Sequence, residues 1–129
     1  STRKALERAE AETARNRGVT LILALSYSSR VEIVEAVRAI AEKIRAGTLD
    51  PEAIDEATLQ SHLYTAPYPD PDLLIRTSGE LRLSNFLLWQ LSYTELYITS
   101  KLWPDFRKAD LLEAVADYQR RHRRFGGIA

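Results

Sequence analysis

Residues 72–99 read DLLIRTSGELRLSNFLLWQLSYTELYIT, and this stretch decides the fold that we predict. Its first apolar run, residues 73–75, has the length and composition of a short buried strand. Arg76 and the turn sequence TSG follow directly, so they fall where that strand should end. In open α/β sheets, ligands bind beyond the carboxyl ends of the strands. The stretch therefore predicts a ligand site centred on Arg76.

The residues after this strand suit an anion. Gly79 allows a tight turn, and Arg82 brings a second guanidinium. Ser84 is placed to cap a predicted helix over residues 85–92, and the free amides of a helix N-terminus favour anions. Two arginines, a hydroxyl and a helix start together suit a diphosphate. The alternative is that both arginines are ordinary surface residues, with Glu80 as an ion-pair partner of small energetic benefit.

A second strand is predicted at residues 95–99, where polar and apolar residues alternate. Glu95, Tyr97 and Thr99 form its polar side, and Leu96 and Ile98 form its apolar side. A carboxylate placed on this polar side near a diphosphate would suit Mg²⁺, which takes few protein carboxylates and completes its shell with water and phosphate oxygens. Glu95 is therefore a candidate magnesium ligand.

The rest of the chain predicts helices around a parallel sheet. A third strand is expected over residues 19–25, VTLILAL, buried on both faces. Helices are expected over residues 2–17 and 30–46, and the second should open with a capping box between Ser29 and Glu32. Strands alternating with helices indicate an α/β fold with a parallel sheet. Three strands are few for such a sheet, which suggests that part of the domain is missing.

Composition excludes several classes of protein. The chain has 129 residues, of which 45% are apolar and 28% charged, as in a single globular domain. It lacks cysteine, and no apolar run approaches the length of a spanning helix, so we expect a cytoplasmic protein. The basic run RRHRR at residues 120–124 is typical of a solvated helix end. We therefore expect no nucleic-acid partner, since no aromatic platform accompanies that run.

Three segments carry a resemblance to a known family. They are DPDLLIRTSGELRLSNFLLWQLSYTELYIT, LWPDF and DYQRRHRRFGG, and together they closely resemble the C-terminal part of the cis-prenyltransferases, typified by undecaprenyl diphosphate synthase. Weaker similarity extends over nearly all of the chain. The resemblance implies the α/β parallel-sheet fold of that family. Residues 1–129 would then be a single partial domain, the C-terminal part of the catalytic domain.

The resemblance also implies roles for particular residues. Arg76, Arg82 and Ser84 match the motifs that bind the diphosphate of isopentenyl diphosphate, and Glu95 matches a Mg²⁺ ligand. Arg124 and Gly126 match a terminal R-x-G motif that reaches into the diphosphate site of the neighbouring subunit, which implies a homodimer. The implied reaction condenses isopentenyl diphosphate with an allylic diphosphate such as farnesyl diphosphate. The product would be a cis-polyprenyl diphosphate such as undecaprenyl diphosphate, whose lipid nature would keep the enzyme peripheral to a membrane.

Two departures from the family pattern qualify these expectations. The D-G-N-G-R-W-like stretch that carries the family's catalytic Asp is absent, so we expect no catalytic residue in this chain and no activity from it alone. A separate N-terminal half would restore activity. Where many members read N-Y-G-G-R, this chain has Ser26, Ser28 and Ser29 in place of the Asn and the two Gly residues. The alternative function is a non-catalytic partner subunit of a cis-prenyltransferase.

Overall fold

The structure is a computed structural model that describes residues 2–121. Within that range it contains four α-helices and two β-strands. The helices are α1 (Thr2–Thr13), α2 (Ser29–Arg45), α3 (Glu56–Gln60) and α4 (Lys108–Gln119). The strands are β1 (Leu73–Arg76) and β2 (Glu95–Ile98), and short 3₁₀ turns occupy Pro51–Ala53 and Trp103–Asp105.

The two strands pair in parallel, which confirms the predicted α/β class. Leu73 lies opposite Glu95, and Arg76 lies opposite Ile98. The predicted strand at residues 73–75 and the predicted strand that begins at Glu95 are therefore both present. Parallel strands need a long crossover, and residues 77–94 supply it here. No other strand is found within residues 2–121.

The strand predicted over residues 19–25 is wrong for the described structure. This segment has no regular secondary structure, and its apolar side chains are exposed, from 56% for Ile22 to 99% for Val19. An apolar run forms a buried strand only where a neighbouring strand supplies hydrogen bonds and packing. Neither β1 nor β2 pairs with it.

Helix α2 begins one residue earlier than predicted and is capped differently. Its N-cap is Ser28, whose Oγ accepts a hydrogen bond from the Val31 N–H at 3.3 Å. The predicted capping box between Ser29 and Glu32 is wrong, because both side chains turn into the protein and are fully buried. The Ser29 hydroxyl instead accepts from the Leu88 N–H at 2.9 Å. The hydroxyls that replace the glycines of the family pattern thus make hydrogen bonds that glycine lacks.

The Glu32 carboxylate joins three separate segments. It accepts hydrogen bonds from the Tyr64 N–H at 2.8 Å, from the Gln90 side-chain amide at 3.2 and 3.3 Å, and from the Tyr27 hydroxyl. The Gln90 amide also donates to Thr65 Oγ1 at 2.9 Å. Burial, together with the hydrogen bond to Glu32, raises the pKa of Tyr27 above its ordinary value. A buried carboxylate is tolerated here because several donors satisfy it.

The apolar core around this carboxylate is small. The apolar side chains that are buried in the described part of the chain are Ala36, Ile40, Leu63, Leu91 and Ala114. Several apolar side chains of α2 are not buried, since Val34 and Val37 are about half exposed. The buried face of α2 is instead the row Ser29, Glu32, Ala36 and Ile40. Hydrogen bonds therefore carry much of the tertiary organisation.

Helix α4 packs against β2, and an ion pair near each end of the helix joins it to β2 or to the residues that follow β2. At its start, the buried Asp110 carboxylate accepts from the Arg107 N–H at 2.7 Å and forms an ion pair with Lys101. This ion pair, and then the Arg107 N–H, lower the pKa of Asp110. At its end, Arg121 reaches back to Glu95.

None of the described helices is long and apolar enough to cross a membrane.

Replacing Glu32 tests whether the buried carboxylate holds these segments together. We expect Glu32→Ala to lower the free energy of unfolding by about 3 kcal/mol, because it leaves buried N–H donors without an acceptor. The matched control is Glu42→Ala on the same helix, where an exposed carboxylate pairs with Arg45. This control substitution should lower the free energy of unfolding by less than about 1 kcal/mol. Urea unfolding followed by circular dichroism measures both, and equal losses in the two variants would contradict this role of Glu32.

Candidate functional site

The loop after β1 folds back over the end of β2. The Ser78 N–H donates to the Lys101 carbonyl at 2.7 Å, and the Gly79 N–H donates to the Thr99 carbonyl at 2.8 Å. Ser78 and Gly79 both have φ of 65°, in the left-handed region. Glycine adopts this region without a steric penalty, as predicted for Gly79. The loop therefore has a defined path beyond the carboxyl ends of the strands.

Arg76 is the last residue of β1 and points a partly buried guanidinium into this loop. Its Nη2 lies 3.5 Å from Ser84 Oγ, at the outer limit of a hydrogen bond. Its Nε is buried, and within residues 2–121 no hydrogen-bond partner for it is present. Most buried polar atoms have a partner, so an orphaned guanidinium nitrogen favours an anionic ligand at this point.

Arg76 and Arg82 line the same cleft. The cleft has a volume of about 250 Å³, and its lining residues are Leu74, Ile75, Arg76, Arg82, Leu83 and Phe86. Arg82 is 68% exposed and forms an ion pair with Glu80, the partner considered from the sequence. An exposed ion pair contributes little to stability, so Arg82 can leave Glu80 for an anionic ligand at a small cost in free energy. The two predicted arginines and Ser84 are thus brought together.

The helix predicted over residues 85–92 is wrong. Ser84, Asn85 and Leu87 have positive φ values of 51°, 60° and 46°, so the chain makes successive turns there. Ser84 consequently is not an N-cap, a position that normally has extended backbone. Contacts with α2 override the local helix propensity, because the backbone carbonyl of Asn85 accepts from the Ser29 N–H at 3.0 Å.

Asn85 is a structural residue of the site that sequence reasoning missed. Its Oδ1 accepts from the Arg30 N–H at 3.0 Å, and its Nδ2 donates to Ser28 Oγ at 2.8 Å. Asn85 thereby fastens the loop that carries Arg82 and Ser84 to the start of α2. Asparagine tolerates left-handed backbone better than most residues, and this preference is the signal that the sequence offered.

A larger apolar cleft adjoins the arginine cleft. Its volume is about 480 Å³, and Phe86 lines both clefts. Its other apolar lining comes mainly from residues 22–25, 68–71 and the aromatic side chains of Tyr27 and Tyr64. The Phe86 and Tyr27 rings meet edge to face, with centroids 5.7 Å apart. A cationic cleft beside an apolar cleft suits a ligand with an anionic head and a hydrocarbon tail.

Glu95 lies at the opposite end of the strands from Arg76. The register places Glu95 beside Leu73, roughly 10 Å along the strands from Arg76 at about 3.3 Å per residue. Its carboxylate accepts from Arg121 Nη1 at 2.8 Å. Within residues 2–121 no group of three His, Cys, Asp or Glu side chains is arranged to hold a metal ion. The described residues therefore do not form a complete Mg²⁺ site as they stand.

The predicted tail residues Arg124 and Gly126 lie outside the described residues.

The motifs and the fold agree with comparisons to known proteins. The family described as putative undecaprenyl diphosphate synthase matches residues 1–126. The chain belongs to this family. The isoprenyl transferases of Geobacillus kaustophilus and Heliobacterium mobile are 57% and 56% identical to it, over 99% and 98% of this chain. Those alignments cover 50% and 48% of the two relatives, so the chain spans about half the length of the curated relatives it matches.

Solved structures of cis-prenyltransferases share the fold. The lavandulyl diphosphate synthase from Lavandula x intermedia, in complex with dimethylallyl diphosphate, matches with a TM-score of 0.91 and 52% identity. That match covers 97% of this chain and 54% of the synthase. A probable undecaprenyl diphosphate synthase from Campylobacter jejuni matches with a TM-score of 0.80 and 32% identity, covering 98% of this chain and 56% of that one. The family fold predicted from the sequence is confirmed.

Two substitutions at Asn85 separate its side-chain hydrogen bonds from its backbone conformation. We expect Asn85→Ala to lower the free energy of unfolding by about 2 kcal/mol, since it removes two hydrogen bonds and replaces asparagine with a residue that tolerates positive φ less well. Asn85→Gly removes the same hydrogen bonds, but glycine tolerates positive φ, so this variant should lose only about 1 kcal/mol of the free energy of unfolding. Urea unfolding measures both. A glycine variant less stable than the alanine variant would show that the left-handed backbone is not what selects Asn85.

Proposed function

We propose that this chain carries the isopentenyl diphosphate half-site of a cis-prenyltransferase. The observation that supports the proposal most strongly is the shared cleft of Arg76 and Arg82, with a buried Arg76 Nε that lacks a partner in the described chain. Guanidinium groups bind diphosphate oxygens through charge-assisted and often bidentate hydrogen bonds. The apolar cleft across Phe86 favours a prenyl diphosphate over a polar diphosphate such as a nucleotide.

The reaction that we propose joins two prenyl diphosphates. The double-bond electrons of isopentenyl diphosphate form a bond to C1 of the allylic diphosphate, whose C–O bond breaks and releases diphosphate, and a proton is lost as the new cis double bond forms. The relatives named isoprenyl transferase, and the solved relative with bound dimethylallyl diphosphate, support this class of substrate. Arg76, Arg82 and Ser84 would hold and orient the diphosphate of the isopentenyl unit. Orientation of this kind can lower the activation free energy by several kcal/mol.

We further propose that residues 1–129 act as the C-terminal part of a larger catalytic unit. The chain spans about half of its relatives, and its apolar segment 19–25 lacks a strand partner within the described residues. The catalytic Asp motif and the allylic diphosphate site would come from the other half. Arg124 and Gly126 would complete the diphosphate site of a second subunit in a homodimer. Mg²⁺ would require ligands from outside residues 2–121, with Glu95 as one carboxylate.

Reassembly of the enzyme tests this proposal. The 129-residue chain is incubated with Mg²⁺, farnesyl diphosphate and isopentenyl diphosphate, alone and with the half of the Geobacillus kaustophilus isoprenyl transferase that it does not cover. We expect polyprenyl product from the reassembled pair and none from the chain alone. Turnover by the chain alone, or none by a pair shown to associate, would contradict the proposal.

Substitutions at Arg76 then test the half-site within the reassembled pair. We expect Arg76→Ala to lower kcat/KM for isopentenyl diphosphate by about 100-fold, and Arg76→Lys by about 10-fold, since lysine keeps the charge without the bidentate geometry. The matched control is Arg45→Ala, an exposed arginine at the end of α2, which should leave kcat/KM unchanged. Full activity of Arg76→Ala would favour the alternative, a non-catalytic partner subunit.

A further inference from the structure

A loop residue, Asn85, holds the first turn of helix α2. The N–H groups of the first three helical residues, Ser29, Arg30 and Val31, have no acceptor inside the helix. The Ser29 N–H donates to the Asn85 carbonyl and the Arg30 N–H donates to Asn85 Oδ1, both at 3.0 Å. The Val31 N–H donates to Ser28 Oγ at 3.3 Å. Asn85 thus occupies most of this helix N-terminus.

Both polar atoms of the Asn85 side chain have partners inside the protein. Oδ1 accepts from the Arg30 N–H, and Nδ2 donates to Ser28 Oγ at 2.8 Å. The loop is tied to the same helix a second time, because the Leu88 N–H donates to the Oγ of the fully buried Ser29 at 2.9 Å. Since each polar side-chain atom already has a protein partner, Asn85 can act on a ligand only through the residues that it holds.

The backbone around Asn85 needs these contacts. Ser84, Asn85 and Leu87 have φ of 51°, 60° and 46°. For residues other than glycine, such left-handed backbone costs free energy and persists only where surrounding contacts hold it. The hydrogen bonds between this loop and α2 are the contacts that do so here. Without them the loop would relax toward ordinary backbone angles, and the residues next to Asn85 would change direction.

The position of Arg82 depends on this contact, whereas the position of Arg76 does not. Arg82 lies midway between two points at which the loop is fixed, Gly79 and Asn85. The Gly79 N–H donates to the Thr99 carbonyl at 2.8 Å. The Arg82 side chain is 68% exposed, so packing does little to fix it. Arg76 belongs to β1, and its pairing with β2 sets its position independently of the loop.

We propose that Asn85 is a positioning residue for the diphosphate site. This inference rests on the proposed function, in which Arg76 and Arg82 bind the diphosphate of isopentenyl diphosphate. Asn85 holds the loop on the N-terminus of α2, and the loop holds the Arg82 guanidinium and the Ser84 hydroxyl opposite Arg76. The two sides of the cleft meet where Ser84 Oγ lies 3.5 Å from Arg76 Nη2. A diphosphate then finds both guanidinium groups in place, so less free energy is lost in ordering them.

Asn85→Gly tests the proposal with little disturbance of the backbone. It removes both side-chain hydrogen bonds, while glycine tolerates positive φ. By isothermal titration calorimetry, we expect this variant of the 129-residue chain to bind inorganic diphosphate about tenfold more weakly than the unaltered chain. By ¹H–¹⁵N NMR at saturating diphosphate, the Arg82 Nε–H resonance should shift less than in the unaltered chain, while the Arg76 resonance shifts as before. Equal affinities, or equal losses of shift at both arginines, would overturn the proposal.

Two further variants control for stability and for folding. Asp55→Ala removes the side chain that accepts from the Thr58 N–H at 2.7 Å at the start of α3, so it lowers stability away from the cleft. It should change diphosphate affinity less than about twofold, and a loss equal to that of Asn85→Gly would contradict the positioning role. If Asn85→Gly does not fold, Ser28→Ala removes the acceptor of Asn85 Nδ2 and should weaken diphosphate binding about threefold. The absence of that loss would also overturn the proposal.

Diphosphate binding by the unaltered chain separates this inference from the proposed function. If inorganic diphosphate does not bind at Arg76 and Arg82, the half-site and the positioning role fail together. If it binds there and Asn85→Gly binds it equally well, only the positioning role fails. In the reassembled pair, Asn85→Gly should raise KM for isopentenyl diphosphate about tenfold and leave KM for farnesyl diphosphate unchanged. Equal rises in both KM values would contradict the positioning role.

Discussion

The described structure depends on the buried carboxylate of Glu32. It lies on the inner face of α2 and accepts hydrogen bonds from Tyr64 and Gln90, which belong to segments far from it in sequence. Few large apolar side chains are buried, so these hydrogen bonds hold the segments together, a role that a larger apolar core has in other proteins. Because the carboxylate receives all of its hydrogen bonds only when the segments of Tyr27, Tyr64 and Gln90 are in place, the arrangement favours one geometry for α2 relative to the chain around it.

The candidate diphosphate site takes its shape from that geometry. Once α2 is fixed, its first residues bind the carbonyl and the side chain of Asn85, and this contact sets the path of the loop that carries Arg82. The other side of the cleft is set by the pairing of β1 with β2, which places Arg76 at a strand end. The cleft is therefore a product of tertiary contacts, and none of the helix N-termini in residues 2–121 lines it.

Features that depend on local pattern could be predicted from the sequence. The short apolar run before Arg76 and the alternation after Glu95 identified both strands. Because Arg76 and Arg82 follow the first strand in sequence, both could be placed beyond its carboxyl end. Features that depend on partners could not. Residues 85–92 have helical composition, yet contacts with α2 impose left-handed backbone there, and residues 19–25 have strand composition without a neighbouring strand in the described chain. The contact of Arg121 with Glu95 joins residues far apart in sequence, so no periodicity could reveal it.

The proposed function depends on Arg76 and Arg82 forming one diphosphate site. Its most direct test is ¹H–¹⁵N NMR of the arginine Nε–H groups while inorganic diphosphate is added to the 129-residue chain. We expect the Nε–H resonances of Arg76 and Arg82 to shift together and saturate, while those of Arg3 and Arg8, in exposed ion pairs on α1, stay in place. An Arg76 resonance that does not move, or equal shifts in all four arginines, would contradict it.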